Sequence, residues 1–334
     1  MKIVVDALGS DDRPAPDVEG AVLSAREFGV GIVLVGPQAR LRTELERHNT
    51  KGLTIEICNA TQEIEMREHP ALAVKEKKDS SIVVGMELVK RGEADAFVSA
   101  GNTGAVMAAA LLHLQRIPGV KRPSLAAAFP HQPYPVLVLD IGANTDCKPE
   151  YLAQFAVMGS IYAEKTLQIP KPRVALLANG EEETKGNLLV QETFPLLKAN
   201  PALNFVGNIE GKDVLRGGAD VVVCDGFDGN VFLKTTEGTA RLVKQILTEE
   251  IKRSPLTALG GLIAKPAFDR VSRRLDSAEV GGAPLLGVNG VVIIGHGRSN
   301  AKAIKNAVRA AKFTVERRVL DVIRDGLGAM KAVP

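Results

Sequence analysis

Four times this chain runs a short block of β-branched and aliphatic residues into a Gly/Asn-rich turn and then into a helix-like segment. The blocks are Phe97-Val-Ser-Ala-Gly-Asn-Thr-Gly104, Val136-Leu-Val-Leu-Asp-Ile-Gly-Ala-Asn144, Val174-Ala-Leu-Leu-Ala-Asn-Gly180 with Glu181-Glu-Glu-Thr-Lys-Gly-Asn187, and Val221-Val-Val-Cys-Asp-Gly-Phe-Asp-Gly-Asn230. Continuous apolar strands separated by helices predict a parallel sheet, since such strands are covered on both faces. Ligands of these sheets bind beyond the carboxyl ends of the strands, so all four turns are expected to line one crevice. Each turn also opens a helix, where free backbone N–H groups and the dipole favour an anion and glycine allows close approach. The expected ligand is phosphate or another oxyanion. One such turn could equally be a capped strand-to-helix connection. Four with the same grammar argue for a site. The dinucleotide fingerprint Gly-x-Gly-x-x-Gly and the P-loop pattern are both absent, which disfavours a Rossmann dehydrogenase or a P-loop kinase.

Composition narrows the classes further. With 334 residues, 45% of them apolar, the chain can bury a large core, and nothing marks a clean boundary between two domains. The formal net charge is only +3, no long basic run occurs, and aromatics make up 4% with no Trp, so nucleic acid is not expected as a partner. Cys58, Cys147 and Cys224 show no metal-ligand spacing. Cys224 reads as a buried, reduced thiol, and Cys147, beside the crevice, as structural rather than nucleophilic. The strand Ile3-Val-Val5 follows Met1 directly and no apolar run approaches the ~20 residues of a membrane span, so a cytoplasmic protein is expected.

The alternation begins as βαβαβ: strand one, a helix from Asp17 to Phe28, a strand at 31–35, a helix from Gln38 to Arg47, and a strand at 53–57. Asp79-Ser-Ser81 opens a helix running to Arg91 and is either a solvated start or an anion cradle. The pattern resumes from Pro172 to Lys252 and then breaks. Residues 253–275 are apolar and small, with Leu256, Leu259, Leu262, Ile263 and Phe268 rimmed by Lys252, Arg253, Arg270, Arg273 and Arg274. That pattern suits a protruding helical segment for a membrane interface, a carrier-protein dock or a dimer contact, or else an ordinary core-facing hairpin. A strand at 290–294, a turn bearing His296 between two glycines, and one long helix to Arg324 close the chain.

Specific strings carry a resemblance. Ser99-Ala-Gly-Asn-Thr-Gly104, Leu139-Asp-Ile-Gly-Ala-Asn144 with Asp146-Cys-Lys-Pro-Glu150, Gln154-Phe-Ala-Val-Met-Gly159, Gly180-Glu-Glu-Glu-Thr-Lys-Gly-Asn187, Cys224-Asp-Gly-Phe227 and Gly281 to Gly290 together resemble the bacterial phosphate acyltransferases of phospholipid synthesis. The resemblance runs in order from residue 1 to about 325. It implies a single domain over 1–334 with a three-layer α/β/α fold, a mostly parallel sheet, and kinship to isopropylmalate dehydrogenases and phosphotransacetylases. It also implies transfer of an acyl group from acyl-acyl carrier protein to inorganic phosphate, no cofactor, and a homodimer. A peripheral membrane tie, with a membrane-bound glycerol-3-phosphate acyltransferase as a further partner, completes the expectation. Where the family reads Asp-Ala-Met-Gly-Gly-Asp-His, this chain has Asp6-Ala-Leu-Gly-Ser-Asp-Asp12. Asp228 replaces a valine of the family pattern, and Ala178-Asn-Gly180 replaces Asn-Ile-Gly.

A thioester is already activated, so such an enzyme chiefly holds phosphate at attack distance and stabilises the tetrahedral oxyanion. Lys185, Asn230 and His296 are the expected catalytic groups, with Asn102, Thr103, Asn144, Lys234 and Ser80 around phosphate. Lys185 could instead pair with Glu181 or Glu182, and His296 could be a cap. Metal binding through Glu181, Glu183 and Asp225 is the lesser alternative and no metal is expected. Competing functions are a short-chain phosphotransacetylase using coenzyme A, a metal- and NAD-dependent dehydrogenase, and a non-catalytic scaffold at the membrane.

Overall fold

A computed structural model of the chain describes residues 1–274, 278 and 281–330. Eleven strands among them form one sheet: β1 Lys2–Asp6, β2 Gly31–Gly36, β3 Ile55–Asn59, β4 Ala96–Ser99, β5 Ser124–Phe129, β6 Val136–Leu139, β7 Arg173–Ala178, β8 Asn204–Glu210, β9 Val221–Val223, β10 Ala283–Leu286 and β11 Val291–Ile294. Their order is β3-β2-β1-β4-β11-β10-β5-β6-β9-β7-β8. Pairing is parallel except for β11/β10, β10/β5 and β5/β6. β5 and β10 thus reverse the polarity of the sheet at its centre. The two flanking halves are parallel within themselves and run in opposite directions.

Helices cover both faces. Against one face lie α3 (Pro70–Glu76), α4 (Ser81–Lys90) and α5 (Thr103–Ala109) on the first half, and α8 (Gly211–Val214) with the start of α9 (Gly226–Lys252) on the second. The opposite face carries α1 (Ala15–Phe28), α2 (Gln38–Leu45) and α11 (Ala301–Glu316) on the first half, and α6 (Pro149–Lys165), α7 (Leu188–Lys198) and α12 (Val319–Met330) on the second. The fold is therefore a three-layer α/β/α sandwich with a mostly parallel sheet. Strand residues such as Val4, Phe97, Val138 and Val222 are fully buried, as continuous apolar strands covered on both faces require.

The closing helix and the first helix differ from the sequence expectation. The closing helix is two helices, because Arg318 takes a left-handed φ of 52° and breaks it between α11 and α12. The first helix begins at Ala15, earlier than Asp17, behind Pro14. The antiparallel strands β5 and β10 leave no period-2 signature, because both are largely buried.

α9 and α10 (Pro255–Arg274) form a helical hairpin. α10 packs chiefly on α9, where Gly261 brings it against Ile251. None of its described side chains is buried, which rules out the core-facing alternative. The side chains of Arg273 and Arg274, and Leu275 at the end of the predicted segment, lie outside the described residues. No helix among the described residues is long and apolar enough to cross a membrane.

Candidate active site

The turn after β6 is built on one carboxylate. Asp140, fully buried, accepts N–H groups from Leu125, Gly142, Ala143 and Asn144 and the Asn144 side-chain amide, at 2.7 to 3.2 Å. Burial pushes its carboxyl up while these donors pull it back. Gly142 has φ 137°, which a side chain rarely adopts, and lies against the Asn230 amide. Asn144 gives both amide hydrogens to the scaffold, to Asp140 and to the Pro123 carbonyl, each at 2.7 Å. Its own carbonyl accepts from Gly226, the first residue of α9, at 2.7 Å. The β6 and β9 turns are thereby fastened together.

α9 joins the two edges of the sheet. Asp225 caps it by accepting from Asp228, and Asn230 donates to the Ile141 carbonyl at 3.0 Å. From there α9 runs back over the second half, and Phe232 stacks on Phe129 at the far end of β5. Eight residues of helix span about 12 Å, close to the length of these short strands. Lys234 and Glu237 consequently enter the field of His296, which sits beyond β11 at the opposite edge.

Strand polarity thus overturns the single crevice expected of all four turns. The turns after β6, β7 and β9 share one edge. The Gly-Asn-Thr-Gly turn after β4 shares the other with the His296 turn, and α9 connects the two.

His296 Nδ1 accepts the Arg298 N–H at 3.2 Å, which leaves the proton of a neutral imidazole on Nε2. Desolvation, Arg298 and Lys234 lower its pKa against the opposing pull of Glu237 and Asp11. A neutral ring with an outward Nε2–H is the favoured state near neutral pH. Lys234 and Arg298 are exposed and make no ion pair among the described residues.

Of the other predicted phosphate ligands, Asn102 is turned inward. Its Oδ1 caps α5 and its amide reaches the carbonyls of Glu65, Met66 and Glu68 at 3.2 to 3.4 Å, clasping the 65–68 strap over the turn. Ser80 is buried and caps α4. Thr103, at the start of α5, is exposed and its hydroxyl has no partner among the described residues.

Lys185 is exposed and folds its stem over Gly180. Neither Glu181 nor Glu182 pairs with it, while Glu183 pairs with Lys198 at 2.5 Å. Glu181, Glu183 and Asp225 do not gather, and among the described residues no group of three ligating side chains is placed for a metal.

The thiols are quiet. Cys147 is pushed up to about 12 by burial and by Asp140 and Asp225, and Cys224 rises for the same reasons. Two carboxylates that residue reading passed over organise the other edge. Asp6 accepts the Ser99 hydroxyl at 2.6 Å and the Leu8 N–H at 3.0 Å. Asp17 accepts the Ser10 hydroxyl at 2.6 Å. An acidic residue closing an apolar strand just before a Gly-rich turn, as Asp6 and Asp140 both do, is the signal that could have flagged Asp6, though not Asp17.

Comparison with known proteins agrees with this architecture. The family model described as fatty acid synthesis protein matches residues 1–321. The phosphate acyltransferase of Dictyoglomus turgidum is 52% identical over 328 residues, 98% of each chain. That of Geobacter sulfurreducens is 51% identical over 319 residues, 96% of this chain and 92% of the relative. Among solved structures, a phosphotransacetylase from Streptococcus pyogenes superposes with a TM-score of 0.63 at 20% identity, covering 94% of both chains. The EutD phosphotransacetylase from Staphylococcus aureus gives 0.59 at 17%, again over 94% of both. The fold is thus of the phosphotransacetylase type, and the protein is an acyltransferase. Within that class, the chain belongs to the bacterial phosphate acyltransferase family.

Proposed function

We propose that this enzyme transfers a fatty acyl group from acyl-acyl carrier protein to inorganic phosphate, giving acyl phosphate for phospholipid synthesis. The observation that carries the reading is the His296 turn, where Lys234 and Arg298, both without carboxylate partners among the described residues, flank a neutral imidazole. Two unpaired cations and an outward N–H suit a dianionic nucleophile. A phosphate oxygen attacks the thioester carbonyl, the tetrahedral oxyanion collapses, the C–S bond breaks and the carrier thiolate leaves. His296 Nε2–H hydrogen-bonds phosphate or gives its proton to the departing sulfur. Lys185 and Asn230 serve from the second edge, with Thr103, Asn102, Asn144 and Ser80 supporting the cradle directly or through the backbone. The high thiol pKa values of Cys147 and Cys224 favour direct attack over an acyl-enzyme.

We further place the enzyme in the cytoplasm as a homodimer in peripheral contact with the membrane, where a membrane-bound glycerol-3-phosphate acyltransferase takes the product. Support comes from the hairpin, where Leu256, Ile263, Leu262 and Leu259 are 79%, 75%, 67% and 56% exposed beside basic residues. Donor competition tests the reaction: long-chain acyl-acyl carrier protein is expected to outcompete acetyl-coenzyme A, with product trapped by hydroxylamine as a hydroxamate. Preference for acetyl-coenzyme A would make the enzyme a short-chain phosphotransacetylase, and NAD-dependent absorbance would make it a dehydrogenase.

A further inference from the structure

The reaction reading assigns no task to the deeply buried carboxylate of α1, Asp17. It is 0% exposed, its Oδ2 accepts the Ser10 hydroxyl at 2.6 Å, and its Oδ1 has no partner. Ser10 lies in the loop that follows β1. That loop is wedged against the reaction edge on both sides: a Cβ on Gly9 would come within 2.7 Å of the Ala100 backbone nitrogen, and Asp11 donates its N–H to the Gly297 carbonyl at 2.7 Å. Gly297 is the neighbour of His296. In turn Gly295 donates to the Ser99 carbonyl at 2.7 Å, so both site turns and the loop form one hydrogen-bonded layer.

We propose that Asp17 is a positioning residue: through Ser10 it fixes the loop over residues 8–11, and through the Asp11–Gly297 bond that loop sets the orientation of the His296 turn. A buried carboxylate with one unpartnered oxygen is costly, and such cost persists where the geometry it holds is used. Burial, helped by Asp6, raises Asp17 to about 7. The groups facing His296 are Arg298 on its own turn, Lys234 and Glu237 on α9, and Asp11 on the loop. Because Asp11 is one of them, a displaced loop changes the field at the imidazole.

The proposal rests on His296 acting in the reaction, and the test separates the two ideas. Ser10→Ala is expected to lower kcat about tenfold, to leave the phosphate KM within about twofold, and to move the His296 ring-proton titration in NMR. Ser10→Thr, which restores the hydroxyl, is expected to recover both. Ser24→Ala is the control, since it removes a buried hydroxyl on α1 itself whose bond is local, to the Gly20 carbonyl. Ser24→Ala is expected to lose stability without shifting the titration. A His296 titration unmoved in Ser10→Ala overturns the positioning role whatever the kinetics. Unchanged kinetics in His296→Ala overturn the histidine's part in the reaction and leave the titration test of positioning standing.

Discussion

At the scale of single residues the candidate site offers three exposed cations, Lys185 at one edge and Lys234 and Arg298 beside His296 at the other. Lys185, at the edge opposite the His296 turn, has no carboxylate partner among the described residues. Lys185→Ala is therefore expected to cut kcat/KM 10- to 100-fold, about 1.4 to 2.7 kcal/mol, with phosphate KM raised; wild-type kinetics in a folded variant would remove it from the site. Cys147→Ser and Cys224→Ala are expected to retain most activity, with no acyl adduct in intact-mass spectra after mixing with acyl-acyl carrier protein. An adduct on either sulfur would contradict direct attack. Asp17 carries a pH signature. Its folded pKa of about 7 lies above the ordinary 3.8, so the native state holds more protons than the unfolded chain between those values. Stability is favoured below about pH 4 and falls as pH rises to about 7, by at most about 1.4 kcal/mol per unit. Denaturant midpoints at pH 5 and pH 8 are expected to show Asp17→Asn gaining on wild type toward alkaline pH; parallel curves would contradict a raised Asp17. The placement of Lys185 and His296 after an apolar strand and glycine, and of Lys234 one helical turn from Asn230, was legible in the sequence. The inward use of Asn102 and Asn144 was not, since an amide near a turn reads identically whether it faces ligand or backbone.

At the scale of elements, the parallel βα units followed from continuous apolar blocks, and strand boundaries fell within about two residues of the sequence reading. The polarity switch did not follow. Ala283-Pro-Leu-Leu286 and Ser124-Leu-Ala-Ala-Ala-Phe129 carry no alternation, since both strands are largely buried, and only pairing in three dimensions shows that they run against their neighbours. The consequence is functional, because that switch sends the glycine-rich turns to two edges and leaves α9 to join them. The α9–α10 hairpin was visible as a break in the alternation, and its exposure came only with the fold. Leu256, Leu259 and Ile263 recur at helical spacing on α10. Leu259→Glu with Ile263→Glu is expected to abolish flotation with anionic vesicles while turnover on carrier protein in solution stays near wild type. Vesicle binding that persists alongside lost turnover or lost dimerisation would make the hairpin a carrier-protein dock or subunit contact.

The whole molecule is a three-layer sandwich that holds two opposed sets of strand ends in register through one rigid core, in which Val4, Val138 and Val292 from both halves share a single apolar cluster. Under the proposed reaction such a core holds ligating groups at separate edges, which suits a reaction whose demand is proximity more than acid–base power. In that proposed reaction neither Cys147 nor Cys224, both raised by burial and nearby carboxylates, acts as the nucleophile. The central claim is direct phosphorolysis of an acyl-carrier thioester, and the most direct test is carrier-thiol release from long-chain acyl-acyl carrier protein with and without phosphate. One thiol and one acyl phosphate per turnover are expected, and no release when phosphate is withheld. Thiol release that continues without phosphate, or phosphate consumption with no acyl phosphate formed, would contradict it.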